Sequence, residues 1–208
     1  MRHRTGRAGV LNELSESDAH TRPRLLGRTL FARETLMLRV LAFVLFLPFA
    51  AHAADSGDAE TLKHLPQSKH TLVDGIRQAE QANGSAISAK FEFEDGKFWL
   101  SVYTAKDGRA RDAEHNTLIE LKGAANAAAW KPDTEVFEDK KHLTRSATQL
   151  SLMQLSKLSL ADIVGKASSG QAGTPYSAIP AIKEGKPVVV VLFALPDGKT
   201  NAVNVDLR

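Results

Sequence analysis

The stretch ISAKFEFEDGKFWLSVYT, residues 87–104, decides the fold. Apolar and polar residues alternate on both sides of Asp95-Gly96, and a period of two is typical of a β-strand with one buried face. Asp-Gly accepts the positive φ angles of a type I′ turn, which joins two antiparallel strands. The sequence therefore predicts a β-hairpin with Phe91 and Phe93 on its buried face.

An amphipathic helix is predicted directly before this hairpin. Thr71 and Asp74 have the spacing of a capping box, although Glu or Gln is the usual second member. The apolar residues that follow recur at helical spacing and predict one buried face: Leu72, Val73, Ile76, Ala79 and Ala82. Gly75 within the helix costs ~1 kcal/mol relative to Ala, and Asn83-Gly84 ends the helix.

The same order of elements returns later in the chain. After the hairpin, a turn at Asp107-Gly108 leads to a third strand ending near Leu121. Three landmarks then recur at separations of 88 to 90 residues: Thr71–Asp74 as Ser159–Asp162, Asp95-Gly96 as Glu184-Gly185, and Asp107-Gly108 as Asp197-Gly198. Self-similarity of this kind indicates a repeated structural unit. The uninterrupted apolar run Val188–Leu195 predicts a strand of the second unit that is buried on both faces.

These patterns predict an α+β protein of two units, each a helix on a three-stranded antiparallel sheet. The units cover residues 69–122 and 158–208, and a connector covers 123–157. The connector predicts one further helix, over 143–158, with an apolar stripe formed by Leu143, Ala147, Leu150, Met153 and Leu158. Residues 54–68 are polar, and we expect them to form a flexible lead-in.

Residues 37–53 have the three parts of a secretory signal peptide. Met37 and Arg39 provide a charged start, Val40–Ala51 is apolar, and Ala51-His52-Ala53 is an A-x-A cleavage site. Twelve apolar residues are too few for a membrane span, which needs ~20. Residues 1–36 precede this signal, and we expect them to be disordered or to reflect a mis-assigned start, with translation beginning at Met37. We therefore expect a periplasmic or secreted protein without stable membrane insertion.

Charge and cysteine content narrow the class of protein further. The chain has 27 Lys and Arg and 24 Asp and Glu, but 19 basic and 20 acidic residues lie beyond residue 53. Such a near-neutral surface gives no electrostatic reason to expect binding to nucleic acid. The chain has no cysteine, so disulfides and thiol nucleophiles are excluded, and stability must come from core burial.

The sequence predicts no catalytic or cofactor site. A metal site needs clustered ligands, and four histidines beyond residue 53 are scattered along the chain: His64, His70, His115 and His142. Neither a G-x-S-x-G elbow nor a glycine-rich phosphate loop occurs. A pair of carboxylates for hydrolysis stays open, because their separation is a property of the structure.

Trp99, Ser101 and Tyr103 share one face of the predicted second strand and form a candidate interaction surface. Exposed aromatic residues anchor many protein interfaces. The alternative is that this face packs against the connector helix or the second unit, because large aromatic side chains are usually buried.

The doubled pattern resembles tandem PepSY domains. The matching parts are the helix Thr71–Asn83, the strands around Asp95-Gly96, and in the second copy Ser159–Ala167, Val188–Val191 and Asp197-Gly198-Lys199. The resemblance implies a non-catalytic extracytoplasmic module that binds or restrains a protein or peptide partner in the cell envelope, such as a peptidase. An envelope hydrolase with an unrecognised site and a small-ligand or metal carrier are the alternatives. The sequence leaves the oligomeric state open.

Overall fold

The structure is a computed structural model that describes residues 56–208. The predicted signal peptide at 37–53 and the preceding stretch 1–36 lie outside the described residues. Within the described range, no helix combines the length and the apolar character needed to cross a membrane.

The described residues form four α-helices and a sheet of seven antiparallel strands. The helices are α1 (Ser56–His64), α2 (Leu72–Asn83), α3 (Lys140–Met153) and α4 (Leu160–Ser168). The strands are β1 (Ser85–Glu94), β2 (Lys97–Ala105), β3 (Leu118–Ala124), β4 (Asp133–Val136), β5 (Thr174–Lys183), β6 (Lys186–Ala194) and β7 (Thr200–Asp206). Their order in the sheet is β4-β3-β2-β1-β5-β6-β7. The predicted α+β class is therefore confirmed.

The strands predicted for two units lie in one continuous sheet rather than in two. β1 and β5 join the halves through only two residue pairs, Ala89 with Ala178 and Lys90 with Ser177. β4, which comes from the predicted connector, adds an edge strand beside β3. Pairing between distant segments is not encoded in local sequence, so the hairpin signals could not reveal this union.

The helices α2 and α4 both begin with a capping box. The side-chain oxygens of Thr71 and Ser159 accept hydrogen bonds from the backbone N–H groups of Asp74 and Asp162, each at 3.1 Å. The Asp carboxylates in turn accept from the N-cap backbone N–H groups, at 3.3 and 3.2 Å. A short Asp side chain therefore completes the box in the role that Glu or Gln usually takes.

Both hairpin turns have the backbone conformation of a type I′ turn. The φ angles are 50° and 72° at Asp95 and Gly96, and 51° and 75° at Glu184 and Gly185. Positive φ at both central residues matches the right-handed twist of the flanking strands. The two turns, which are 89 residues apart in the sequence, therefore have the same backbone conformation as well.

Two glycines hold equivalent positions before the first strand of each half. Gly84 and Gly173 have φ angles of 80° and 100°. A Cβ atom at either position would lie 2.4 Å from a backbone oxygen, of Ala105 or Ala194 respectively. Only glycine combines this conformation with so close an approach.

The front face of the sheet is the face that α2 and α4 cover, and it holds the core. α2 packs on β1 and β2, while α4 packs on β5, β6 and β7. Side chains from both halves are fully buried there: Leu72, Ile76, Leu100, Val102, Leu160, Ile163, Val164 and Phe193. One apolar core therefore serves both halves of the sheet.

The prediction that the Val188–Leu195 run is buried on both faces is confirmed for the front face and only in part for the back face. Val189, Val191 and Phe193 are buried on the front; on the back Val188 is buried, but Val190 and Leu192 remain half-buried. The reason is that α3, the helix of the back face, packs on β1, β3 and β5 and leaves much of β6 open.

Residues 56–67, predicted as part of a flexible lead-in, form α1 and a short 3-10 turn. α1 lies beside β1, where the Thr61 hydroxyl accepts the Phe93 backbone N–H at 3.0 Å. Thr61 and Leu65 are buried. α1 thus provides a hydrogen-bond acceptor for the Phe93 N–H group, which lies in the part of β1 that does not pair with β5.

The connector helix is shifted from its prediction over 143–158. α3 begins at Lys140, because the Asp139 side chain accepts the His142 backbone N–H at 3.0 Å and caps the helix. The predicted stripe residues Leu143 and Leu158 are 37% and 38% exposed, and Leu158 lies beyond the end of α3. The observed buried side includes polar groups, which hydrophobic periodicity does not detect.

Candidate interaction surface

The three residues predicted as an interaction surface lie on the back face of β2, as their alternation required. The structure buries two of them: Ser101 is fully buried, Tyr103 is 6% exposed, and Trp99 alone is partly exposed. The difference along one strand arises because Tyr103 lies at the end of β2 that α3 approaches, whereas Trp99 lies towards the hairpin turn.

Tyr103 packs beneath α3 and the segment before it. Its ring lies 5.7 Å from the ring of Phe137 and 5.4 Å from the guanidinium carbon of Arg145. Burial, followed by the nearby charge of Glu120, raises the pKa of Tyr103 far above its usual value. Tyr103 is therefore a neutral anchor for α3, and the predicted alternative, packing against the connector helix, describes its position.

Ser101 takes part in a charged network on the same face. Its hydroxyl donates a hydrogen bond to Glu92 at 2.7 Å. Lys90 forms an ion pair with the same carboxylate, and Lys122 lies 3.4 Å from it while also pairing with Glu94. Two carboxylates and two lysines thus neutralise one another across β1, β2 and β3.

The network determines the ionisation of Glu92. Burial alone would raise its pKa, but the hydrogen bonds and charges of Lys90, Ser101 and Lys122 outweigh burial and lower the pKa from 4.5. A carboxylate with a lowered pKa stabilises the fold above its unfolded-state pKa, and this contribution is lost as the pH falls through the lower folded-state value.

We expect Glu92→Gln to reduce the loss of thermal stability between pH 5 and pH 3, because the variant has no carboxylate to protonate. Melting temperatures across this range, from circular dichroism, measure the effect. Glu138→Gln, at an exposed position between β4 and α3, is the control and should follow the wild-type profile. Glu80, whose pKa burial raises, is present in all three proteins and cancels in the comparison. Equal slopes for Glu92→Gln and wild type would contradict the stabilising role of the network.

Lysines flank the partly exposed ring of Trp99. The ammonium groups of Lys97 and Lys122 each lie 5.6 Å from the ring centroid. At this distance a cation is attracted to the π-face, by about 0.5–1 kcal/mol at an exposed site. These contacts hold the indole in place and leave an ordered aromatic group at the surface.

The sheet continues from β2 to β6, although α3 covers part of its back face, and Ser101 and Ser177 are buried there. Hydrogen-bonded registers place Ser101, Lys90, Ser177 and Leu192 in one row across four strands. With strands ~4.8 Å apart, Leu192 lies roughly 15 Å from β2. The sequence did not reveal this extension, because a run of consecutive apolar residues carries no period from which to assign faces.

We call this surface the open patch and define it by five residues: Lys90, Trp99, Lys122, Val190 and Leu192. All five are partly exposed on the back face. The face of an antiparallel sheet that is not packed on a core is usually polar. The open patch instead combines partly exposed aliphatic and aromatic groups with paired charges.

The four histidines lie apart from one another in the described structure. His64 stacks on Phe93 at 4.2 Å between ring centroids, and the His70 ring nitrogen is 2.9 Å from the Ala127 carbonyl oxygen. His115 and His142 each pair with the Asp that caps their own helical segment. No group of three metal-ligating side chains forms among residues 56–208.

An open cavity of about 400 Å³ lies between α1 and the ends of β5 and β6. Its lining is mainly apolar, with Leu62, Leu65, Pro66, Leu195 and Pro196, and Lys199 is the charged residue. The described residues that line the cavity include no carboxylate and no histidine. The cavity therefore does not bring together an acid–base pair.

Comparison with known proteins gives one distant likeness. No family model matches the chain, and no curated protein matches it. Among solved structures, the chain is similar to the crystal structure of a "putative lipoprotein" from Clostridium difficile 630, with 17% identity and a TM-score of 0.35. The likeness covers 68% of this chain and 88% of that one. At this level it assigns neither a function nor a location.

Proposed function

We propose that the chain is an exported, non-catalytic protein that binds and restrains a protein or peptide partner in the cell envelope. Export follows from the three-part signal at residues 37–53, and we expect cleavage near Ala53. The open patch supports partner binding. A peptidase is the partner class that the PepSY resemblance suggests.

We further propose that the two halves are tandem PepSY-like units, α2-β1-β2-β3 and α4-β5-β6-β7, joined by a connector that supplies β4 and α3. Recurrence of local detail supports this. Besides the capping boxes and type I′ turns, each half has a bulge in its first strand, between Ala86 and Ser88 and between Pro175 and Ser177. These bulges are again separated by 89 residues.

The open patch carries the proposal of partner binding. Trp99 is a rigid aromatic group at one end, and Val190 and Leu192 are aliphatic groups at the other. Complete burial of an aliphatic side chain stabilises by about 1.5–3 kcal/mol, so covering these half-buried groups favours association. Aromatic residues are enriched at the centre of protein interfaces, and polar side chains form the rim around it.

The side chains of the open patch indicate what kind of partner surface would bind there. Both lysines of the patch are paired with Glu92 or Glu94, so the site has no large excess of charge. A partner segment with apolar side chains spaced to reach both β2 and β6 fits better than a highly acidic one, because only the former gains from covering both apolar ends.

Site-specific photo-crosslinking tests this proposal in the cells that produce the protein. With p-benzoylphenylalanine in place of Leu192, we expect ultraviolet light to produce a specific covalent adduct larger than the chain, recovered from the envelope or the medium. The same group in place of Thr148, on the exposed side of α3, is the matched control and should produce much less adduct. Trp99→Ala in the Leu192 background should lower the yield.

Mass spectrometry of the adduct identifies the partner. If the partner is a peptidase, its activity can be assayed with and without the purified protein. Equal adduct formation from positions 192 and 148 would argue against the open patch as the binding surface. Recovery of all adducts from the cytosol would argue against export.

A further inference from the structure

The two edges of the sheet differ in how well they are protected against pairing with another strand. β4 has only four residues, follows Pro132, and contains the acidic residues Asp133 and Glu135. Short length, proline and charge are the usual means of blocking an edge. β7 has seven residues, with the sequence TNAVNVD, and contains neither proline nor lysine.

Hydrogen bonds at both ends of β7 show which of its residues face outward. The Leu207 N–H donates to Pro187 O at 3.1 Å, and the Leu195 N–H donates to Lys199 O at 2.8 Å. Odd-numbered residues of β7 therefore bond to β6. Because bonding alternates in an antiparallel pair, the even-numbered residues direct their N–H and C=O groups away from the sheet: Thr200, Ala202, Asn204 and Asp206. Within the described residues, no strand lies on that side.

We propose that a second copy of this chain pairs with β7, antiparallel and about a two-fold axis at Val203. The four outward residues are arranged symmetrically about Val203, so each meets an outward residue of the second copy. Thr200 then lies opposite Asp206 of the second copy, and Ala202 lies opposite Asn204 of the second copy. Such a self-complementary surface is what a two-fold dimer requires.

The side chains at this seam favour the second copy as the occupant. No two like charges lie opposite each other, and such pairs are destabilising in sheets. Thr200 offers a hydroxyl to the Asp206 carboxylate, while Ala202 leaves room for Asn204. On the front face, the half-buried Val203 contacts its own counterpart, which extends the apolar core across the axis.

The dimer has a consequence that rests on the proposed function. An axis perpendicular to the sheet keeps the back faces of both copies on one side. Two open patches would then face the same way, and a partner with two binding segments would gain from engaging both.

A cysteine at the axis tests the pairing directly, because the chain contains no other cysteine. Val203 faces its counterpart as a non-hydrogen-bonded pair, with Cα atoms ~4.5 Å apart, and a disulfide needs ~4.4–6.8 Å. In a glutathione redox buffer, Val203→Cys should give roughly tenfold more disulfide-linked dimer on non-reducing gels than Asn201→Cys. Asn201 is the matched control, since it is two residues from the axis and similarly exposed.

Light scattering of the wild-type protein should give a dimer mass. Ala202→Pro, which removes one outward N–H without removing a bond to β6, should shift the mass towards the monomer. If this variant fails to fold, as judged by circular dichroism, the comparison of Val203→Cys with Asn201→Cys tests the dimer on its own. A monomeric wild type together with equal disulfide yields at positions 203 and 201 would overturn the dimer. That result would leave the crosslinking test at position 192 unaffected, so the two proposals fail separately.

Discussion

Phe193→Ala is expected to lower the free energy of unfolding by about 3–5 kcal/mol, the cost of removing a large aromatic side chain from a closed core. Phe193 is fully buried on the front face of β6. Its loss removes apolar contacts and leaves a cavity that the neighbouring β-strands cannot fill, because a hydrogen-bonded ladder holds their backbones in place. Urea denaturation followed by circular dichroism measures the change.

The control for this prediction is Leu192→Ala, one residue away on the back face. Leu192 is half-buried, so its truncation should cost only about 1 kcal/mol. A similar loss for both variants would contradict the assignment of their faces. The comparison also separates stability from binding, because Leu192→Ala removes part of the open patch from a fold that remains stable.

Gly75→Val is expected to destabilise the protein by about 1–3 kcal/mol, because it overfills the contact between α2 and β2. A Cβ atom at Gly75 would lie 2.4 Å from Cδ2 and 3.1 Å from Cγ of Leu100. Leu100 is fully buried, so its side chain has little space into which it can move. Thermal or urea denaturation detects the loss.

Gly165→Ala in α4 is expected to have the opposite effect and to stabilise the protein. Nothing lies within 4 Å of a Cβ atom at Gly165, so the better helix propensity of Ala should stabilise by about 0.5–1 kcal/mol. Stabilisation by substitutions at both glycines would show that α2 is not in close contact with β2. The sequence indicated only that Gly75 weakens the helix; the contact with Leu100 explains why glycine is required there.

Features encoded by a few adjacent residues could be predicted from the sequence. Asp95-Gly96 fixes a type I′ turn through the φ angles that it accepts, and Thr71 with Asp74 fixes a helix start through two hydrogen bonds. The same chemistry at Glu184-Gly185 and Ser159 gave the second set of elements. In each case the cause lies within four residues of the effect.

Features that depend on distant segments could not be predicted in this way. The union of β1 with β5 depends on how two hairpins pack under shared helices. α1 escaped detection because its segment is mostly polar and its large apolar residue, Leu62, is only half-buried. For Trp99, Ser101 and Tyr103, alternation gave the shared face correctly, but their depth of burial depends on the position of α3.

The narrow union of β1 with β5 has a mechanical consequence. Ala89 and Lys90 are the only residues of β1 that pair with β5 among those described, whereas each hairpin is held along nearly its whole length. This junction therefore has fewer residue pairs than any other in the sheet, and α3, which packs on both β1 and β5, bridges it. Trp99 lies in the first hairpin and Leu192 in the second. A partner that binds both residues would therefore fix the angle between the two hairpins.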